Sequence, residues 1–151
     1  MQLIGKDDRA VEISAAARAT CPKLAEATGG VMRIPEFGCN VLDRVAEFLE
    51  HAAARPEERS AYGPGDPTDN FCAWDRGFSN RIKADDWVMF GVIAVAKRLD
   101  ARQLLEVGLR TAAIVIRETP PEQLFARFKL VEPSAAEIVE INRTNPWLND
   151  L

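Results

Sequence analysis

Histidine is almost missing from this chain: one residue among 151, His51, beside three cysteines, Cys21, Cys39 and Cys72. That scarcity excludes much chemistry. A zinc site calls for close pairs of cysteine or histidine, and no such spacing occurs. A nucleophilic Cys–His pair needs a thiol beside the imidazole. Cys39 lies at the far end of the same helix as His51, about 18 Å away at 1.5 Å per residue, and nothing in the pattern supports Cys21 or Cys72. His51 reads as an exposed histidine at a helix end. An odd set of widely spaced cysteines fits a compartment where thiols stay reduced.

Positive charge is short as well. Lys and Arg number 19 against 23 Asp and Glu, for a net charge of −4. With no basic patch, neither nucleic acid nor an anionic membrane surface is expected as a partner. No apolar run approaches the roughly 18 residues of a membrane span, and the start MQLIGKDDRA lacks the basic-then-apolar order of a signal peptide. The expectation is a cytoplasmic and nuclear protein that binds proteins or small molecules. On that expectation the triplet Asn142-Arg143-Thr144 is a coincidental match to a glycosylation site. Gly29-Gly30 and Gly63-Pro64-Gly65 belong to no phosphate-cradling loop, and Asp7-Asp8 and Asp85-Asp86 sit where turn solvation and helix capping account for them. No cofactor and no catalytic residue is implied.

What the chain has is apolar surface, 47% of its residues, in a length that suits one packed domain. Leu3 and Ile4, then Val11 and Ile13, alternate across a polar turn as a hairpin would. Ser14 is placed to cap an alanine-rich helix that Pro22 interrupts and Gly29-Gly30 ends, and VMRIP follows as a third strand. Val41, Leu42, Val45, Phe48 and Leu49 recur at helical spacing between Gly38 and Ala54. The stretch from about 55 to 73, rich in Pro, Gly and charge, reads as a mobile loop. Trp87 to Ala96 is apolar nearly all round and predicts a central buried helix. Asp100 and Gln103, at capping-box spacing, predict the start of the next helix and an antiparallel pair. Two short helices follow, one after Thr119-Pro120-Pro121 and one after Ser134 with Glu137. Helices of that length are unstable alone in water, so something must pack on them. Phe128, Leu130, Val131, Ile141, Trp147 and Leu148 exceed what one small core needs, and the surplus points to a groove for another protein's helices.

In order and spacing, RIPEFGCNVLDRVAEFLEH, a Pro-rich charged loop, WDRGF, LDARQLLEVGLRTAAIVI, TPPEQLFARFKL and NPW resemble the S-phase-kinase-associated adaptor family of cullin ubiquitin ligases. The resemblance runs from the first strand to Trp147. It implies an α/β fold: a BTB/POZ-like core at 1–118 with a small three-stranded sheet, and a helical extension at 119–151 that binds F-box proteins. Carried over by position, the F-box-facing set is Phe90, Ile93, Leu109, Ala112, Ile116, Phe128, Leu130, Asn145 and Trp147. The cullin-facing positions are Lys97 and Arg98, where the family commonly has Asn-Tyr, so cullin binding requires a partner that has adapted to two cations. The resemblance implies no enzyme and no cofactor. It leaves open a structural role in a non-ligase assembly, such as a chromosome-segregation complex, and homodimerisation of the free protein. Pro133 is one position away from a proline that some members hydroxylate, and the modification is not carried over.

Overall fold

The computed structural model describes residues 1–58, 60, 70–131 and 133–146. They form eight helices and a three-stranded sheet, the mixed α/β class expected, and the chain divides into two compact units, Met1–Val115 and Ile116–Leu151. No helix among the described residues is long and apolar enough to cross a membrane.

In the first unit β1 (Gln2–Ile4) and β2 (Ala10–Glu12) pair antiparallel, with Leu3 opposite Val11 and both buried. β3 (Val31–Arg33) lies parallel to β1 on its other side, giving the order β2-β1-β3. A parallel return needs a crossover, and α1 (Ala15–Ala19) with α2 (Pro22–Glu26) supplies it. Ser14 caps α1, its hydroxyl accepting from Ala17 N at 3.1 Å. Pro22 opens α2 at a position where its missing N–H costs nothing. α2 ends before Gly29-Gly30, and the Arg18 guanidinium donates to the carbonyls of Leu24 and Ala27 at 2.7 and 2.6 Å.

α3 (Cys39–Ala54) buries the expected stripe of Val41, Leu42, Val45, Phe48 and Leu49. The Asp7 carboxylate accepts from Cys39 N at 2.9 Å across the chain and so caps its first turn. α4 (Ala73–Ile82) follows, then α5 (Asp86–Leu99) and α6 (Arg102–Glu118). Asp85 caps α5 by accepting from Trp87 N and Val88 N.

Three expectations change here. α5 is not buried all round: Val88, Met89, Val92, Val95 and Leu99 are inside, while Trp87 and Phe90 are exposed. Asp100 does not open α6; it closes α5 in the left-handed conformation at φ 54°, which a short polar side chain tolerates better than most. Its backbone N–H is committed to the last turn of α5, so the capping-box spacing with Gln103 is incidental. The neighbour on which α5 beds is α3 rather than an antiparallel α6. A Cβ on Gly91 would stand 2.8 Å from Val41, so only glycine admits that approach. α5 meets α6 where Ile93 fills the space over Gly108.

The second unit holds the end of α6, α7 (Pro121–Phe128) and α8 (Ala135–Thr144). Pro120 occupies the cap position of α7, preceded by the buried Thr119, whose hydroxyl accepts from Arg127 Nη1 at 2.9 Å. α7 closes at Lys129 in the left-handed conformation, with Leu130 N donating to Phe125 O at 2.9 Å. Ser134 and Glu137 form a full capping box at α8.

Candidate docking surfaces

Neither α7 nor α8 buries a residue. Packed amphipathic helices hide an apolar stripe, yet these leave Phe125, Leu130, Ile138, Val139 and Ile141 exposed, with Val131 between them at 90%. Phe128 and Leu124 are half-buried. Glu137 accepts from Ser134 Oγ at 2.7 Å and from Ser134 N at 2.8 Å, bonds that hold its carboxyl below the usual carboxylate range. Arg143 donates to Glu140 at 2.6 Å and keeps that carboxyl low too. Asn145 ends α8, donating from Nδ2 to Ile141 O at 3.0 Å.

Of the F-box-facing set, Ile116 belongs to this unit and is exposed, as is Leu130. Asn145 and Phe128 are half-buried, and Trp147 lies outside the described residues. In the first unit Phe90 and Leu109 are exposed and Ile93 is half-buried against Gly108. Ala112 is buried at 7% exposure, so it offers a partner the least surface of the set.

Lys97 and Arg98 are both exposed in the last turn of α5, where cations suit the helix dipole. They differ in their surroundings. Arg98 Nη1 donates to both oxygens of Glu36, at 2.8 and 2.9 Å. Glu36 is held below the usual carboxylate range, first by its own backbone N–H and then by Arg98. Lys97 has no ion pair among the described residues. One unmatched cation therefore stands where the sequence presents two.

The expectation for His51 is corrected. Its side chain is 18% exposed and lies flat on Trp74, ring centroids 3.7 Å apart and planes 7° from parallel, with Nε2 3.2 Å from Glu58. Trp74 stacks in turn on Phe78 at 5.4 Å and meets Phe48 edge-on at 5.5 Å. The next residue, Asp75, is buried and accepts from Ser60 N and Ser60 Oγ. Cys72 N donates to Ser60 Oγ at 2.8 Å, so the described ends of the 55–73 segment are fastened to α4. Its residues 59 and 61–69 lie outside the described set. Trp74, Asp75 and Phe78 are thus an aromatic column and the anchor beside it. A signal for α4 was present, since Trp74, Phe78 and Ile82 recur every fourth position.

Among the described residues no group of His, Cys, Asp and Glu is arranged to hold a metal ion. The Cys21 thiol donates to Leu99 O at 3.0 Å and burial raises its pKa. A hydrogen bond with Asp7 raises that of Cys39. Both shifts disfavour the thiolate a nucleophile needs.

No family model matches the chain. Individual proteins do. The SCF subunit sconC of an E3 ubiquitin ligase complex from Arthroderma otae is 29% identical over 129 residues, covering 82% of this chain and 74% of that protein. Its counterpart in Aspergillus oryzae is 30% identical over 125 residues, 82% of this chain and 76% of the relative. Suppressor of kinetochore protein 1 from Schizosaccharomyces pombe is 30% identical over 122 residues, 78% and 73% of the two chains. With that identity sustained over most of each length, the chain belongs to the Skp-type family of SCF ubiquitin-ligase subunits.

Proposed function

We propose that this chain is the adaptor subunit of an SCF-type ubiquitin ligase, binding F-box substrate receptors through its C-terminal extension and a cullin through the exposed end of α5. The observation that carries the reading is the pair of helices, α7 and α8, that bury none of their own residues. In a member of this family, apolar helices left open are a surface for a partner's amphipathic helices. The family resemblance assigns to this partner Phe90, Ile93 and Leu109 in the first unit and, separately, Ile116, Phe128, Leu130, Asn145 and Trp147 in the second. Ala112, being buried, acts through packing.

The contribution is positional. Holding a receptor and a cullin in one assembly raises the effective concentration of substrate near the conjugating machinery, and no side-chain chemistry of this chain is required. The test is a truncation before Thr119. The shortened chain is expected to keep its thermal unfolding transition and lose co-purification with an F-box protein from the same organism. A truncated chain that still co-purifies overturns the assignment.

A second reading, a Skp-type subunit that holds F-box-like proteins in a non-ligase assembly, rests on Lys97. An ammonium at the cullin-facing position, with no ion pair among the described residues, opposes a cullin that lacks an acidic complement. Binding of the wild-type chain to its own organism's cullin decides between the two.

A further inference from the structure

α7 has little to hold it where it begins. A helix of eight residues does not stand alone in water, and Pro120, at its cap position, has no side chain to accept from the first-turn N–H groups. Thr119 and Glu122 have capping-box spacing, which would turn the Thr119 hydroxyl onto that first turn. The structure sets the hydroxyl against Arg127, whose Nη1 donates to it at 2.9 Å from the last turn of the same helix. Helical side chains lean toward the N-terminus, so the arginine stem runs back along α7 and ties its end to its beginning. The same guanidinium lies 5.7 Å from the centroid of the Phe128 ring, within cation–π range. Thr119 is buried, Arg127 is exposed and Phe128 is half-buried, and all three belong to the second unit. One long, exposed side chain is thus held at a buried hydroxyl and lies over the ring that the family resemblance turns toward a receptor. A charged donor on such an acceptor is among the stronger hydrogen bonds.

We propose that Thr119 and Arg127 are positioning residues for receptor binding: their hydrogen bond closes a clasp that sets how Phe128 is presented, and so fixes the fraction of free chains competent to dock. This rests on the adaptor reading above and adds to it two residues that lie outside the F-box-facing set. Because α7 is marginal by itself, free chains divide between clasped and open forms, and the apparent affinity scales with the clasped fraction. Opening the clasp slows association, since fewer encounters find Phe128 in place. Dissociation changes little, because a complex once formed makes the same contacts with the receptor.

The test uses the full chain and an F-box protein from the same organism, with association and dissociation rates measured separately. Thr119→Val keeps the shape of the side chain and removes the acceptor; Arg127→Met keeps the stem and removes the donor. Each is expected to weaken binding about tenfold, mostly in the association rate, the scale of one lost charge-assisted bond. The double variant should match the single ones, because either change opens the same clasp. Thr119→Ser retains the hydroxyl and is expected to associate at close to the wild-type rate. Phe128→Ala, which removes the docked ring, should act chiefly on dissociation. The thermal transition of the first unit should be unchanged in every variant. If Thr119→Val and Arg127→Met bind like wild type while Phe128→Ala is impaired, the clasp is refuted and the adaptor reading stands. Additive losses in the double variant refute the clasp as well, since Arg127 then meets the receptor directly. A loss confined to dissociation, or shared in full by Thr119→Ser, does the same. If wild type does not bind the F-box protein, the clasp and the adaptor reading fall together.

Discussion

α3 and α8 are both amphipathic helices with sound caps, and they treat their apolar residues in opposite ways. α3 places Val41, Leu42 and Val45 wholly out of solvent, whereas α8 leaves Ile138, Val139 and Ile141 in it. The difference is not one of local geometry, since the α8 capping box is the more complete of the two. It is one of partners. α3 is covered by β2, α1 and α5, all present in the same chain, whereas under the proposed function α8 is covered by a second protein. A buried apolar residue of the first unit therefore reports on folding, and under the proposed function an exposed one of α8 reports on assembly.

Substitutions sharpen that contrast. The largest effect on stability is expected from Phe78→Ala, which removes a wholly buried ring from the aromatic column with Trp74 and Phe48. A loss of about 3–5 kcal/mol by urea unfolding is expected; a loss below about 1 kcal/mol would show that the column packs loosely. Gly91→Ala comes next, at about 1–3 kcal/mol, because the added methyl meets Val41 at the α3–α5 approach. Ser134→Ala should cost about 1 kcal/mol of local α8 stability by amide exchange, with no change in the transition of the first unit.

Acid probes the same cap. The Glu137 carboxyl is held below its usual range by Ser134, so its contribution is complete above the ordinary carboxylate range and is lost as pH falls through the lowered value. Protection of the amides over residues 135–144, relative to the unstructured rate at the same pH, should therefore fall in that acid window in wild type, and Ser134→Ala should flatten the response. The smallest effect on stability belongs to Val139→Ser, within about 0.5 kcal/mol because the side chain is exposed. On F-box binding it should be among the larger effects. A destabilised but binding-competent Val139→Ser chain would erase the contrast.

The features legible in the sequence are those set by neighbours along the chain. The Leu3–Val11 alternation, the α3 stripe and the Ser134–Glu137 box each lie within a dozen residues, so periodicity and cap chemistry suffice. The features that escaped are tertiary. His51 meets Trp74 and Arg98 meets Glu36 across long stretches of chain, and neither partner could be named from local pattern. The exposure of Trp87 and Phe90 escaped because α5 is apolar on every side. Hydrophobic spacing then carries no information about which face is covered, and that is decided by Gly91 admitting α3. The F-box-facing set came from family resemblance, and local rules supplied only the surplus of apolar residues that made a partner necessary.

Hydrogen exchange of the full-length chain, free and bound to an F-box protein, is the most direct test. The account predicts rapid exchange of the α7 and α8 amides in the free chain and strong slowing across residues 121–144 in the complex, with little change in α3. Full protection of α7 and α8 in the free chain, unaltered by the F-box protein, would contradict it.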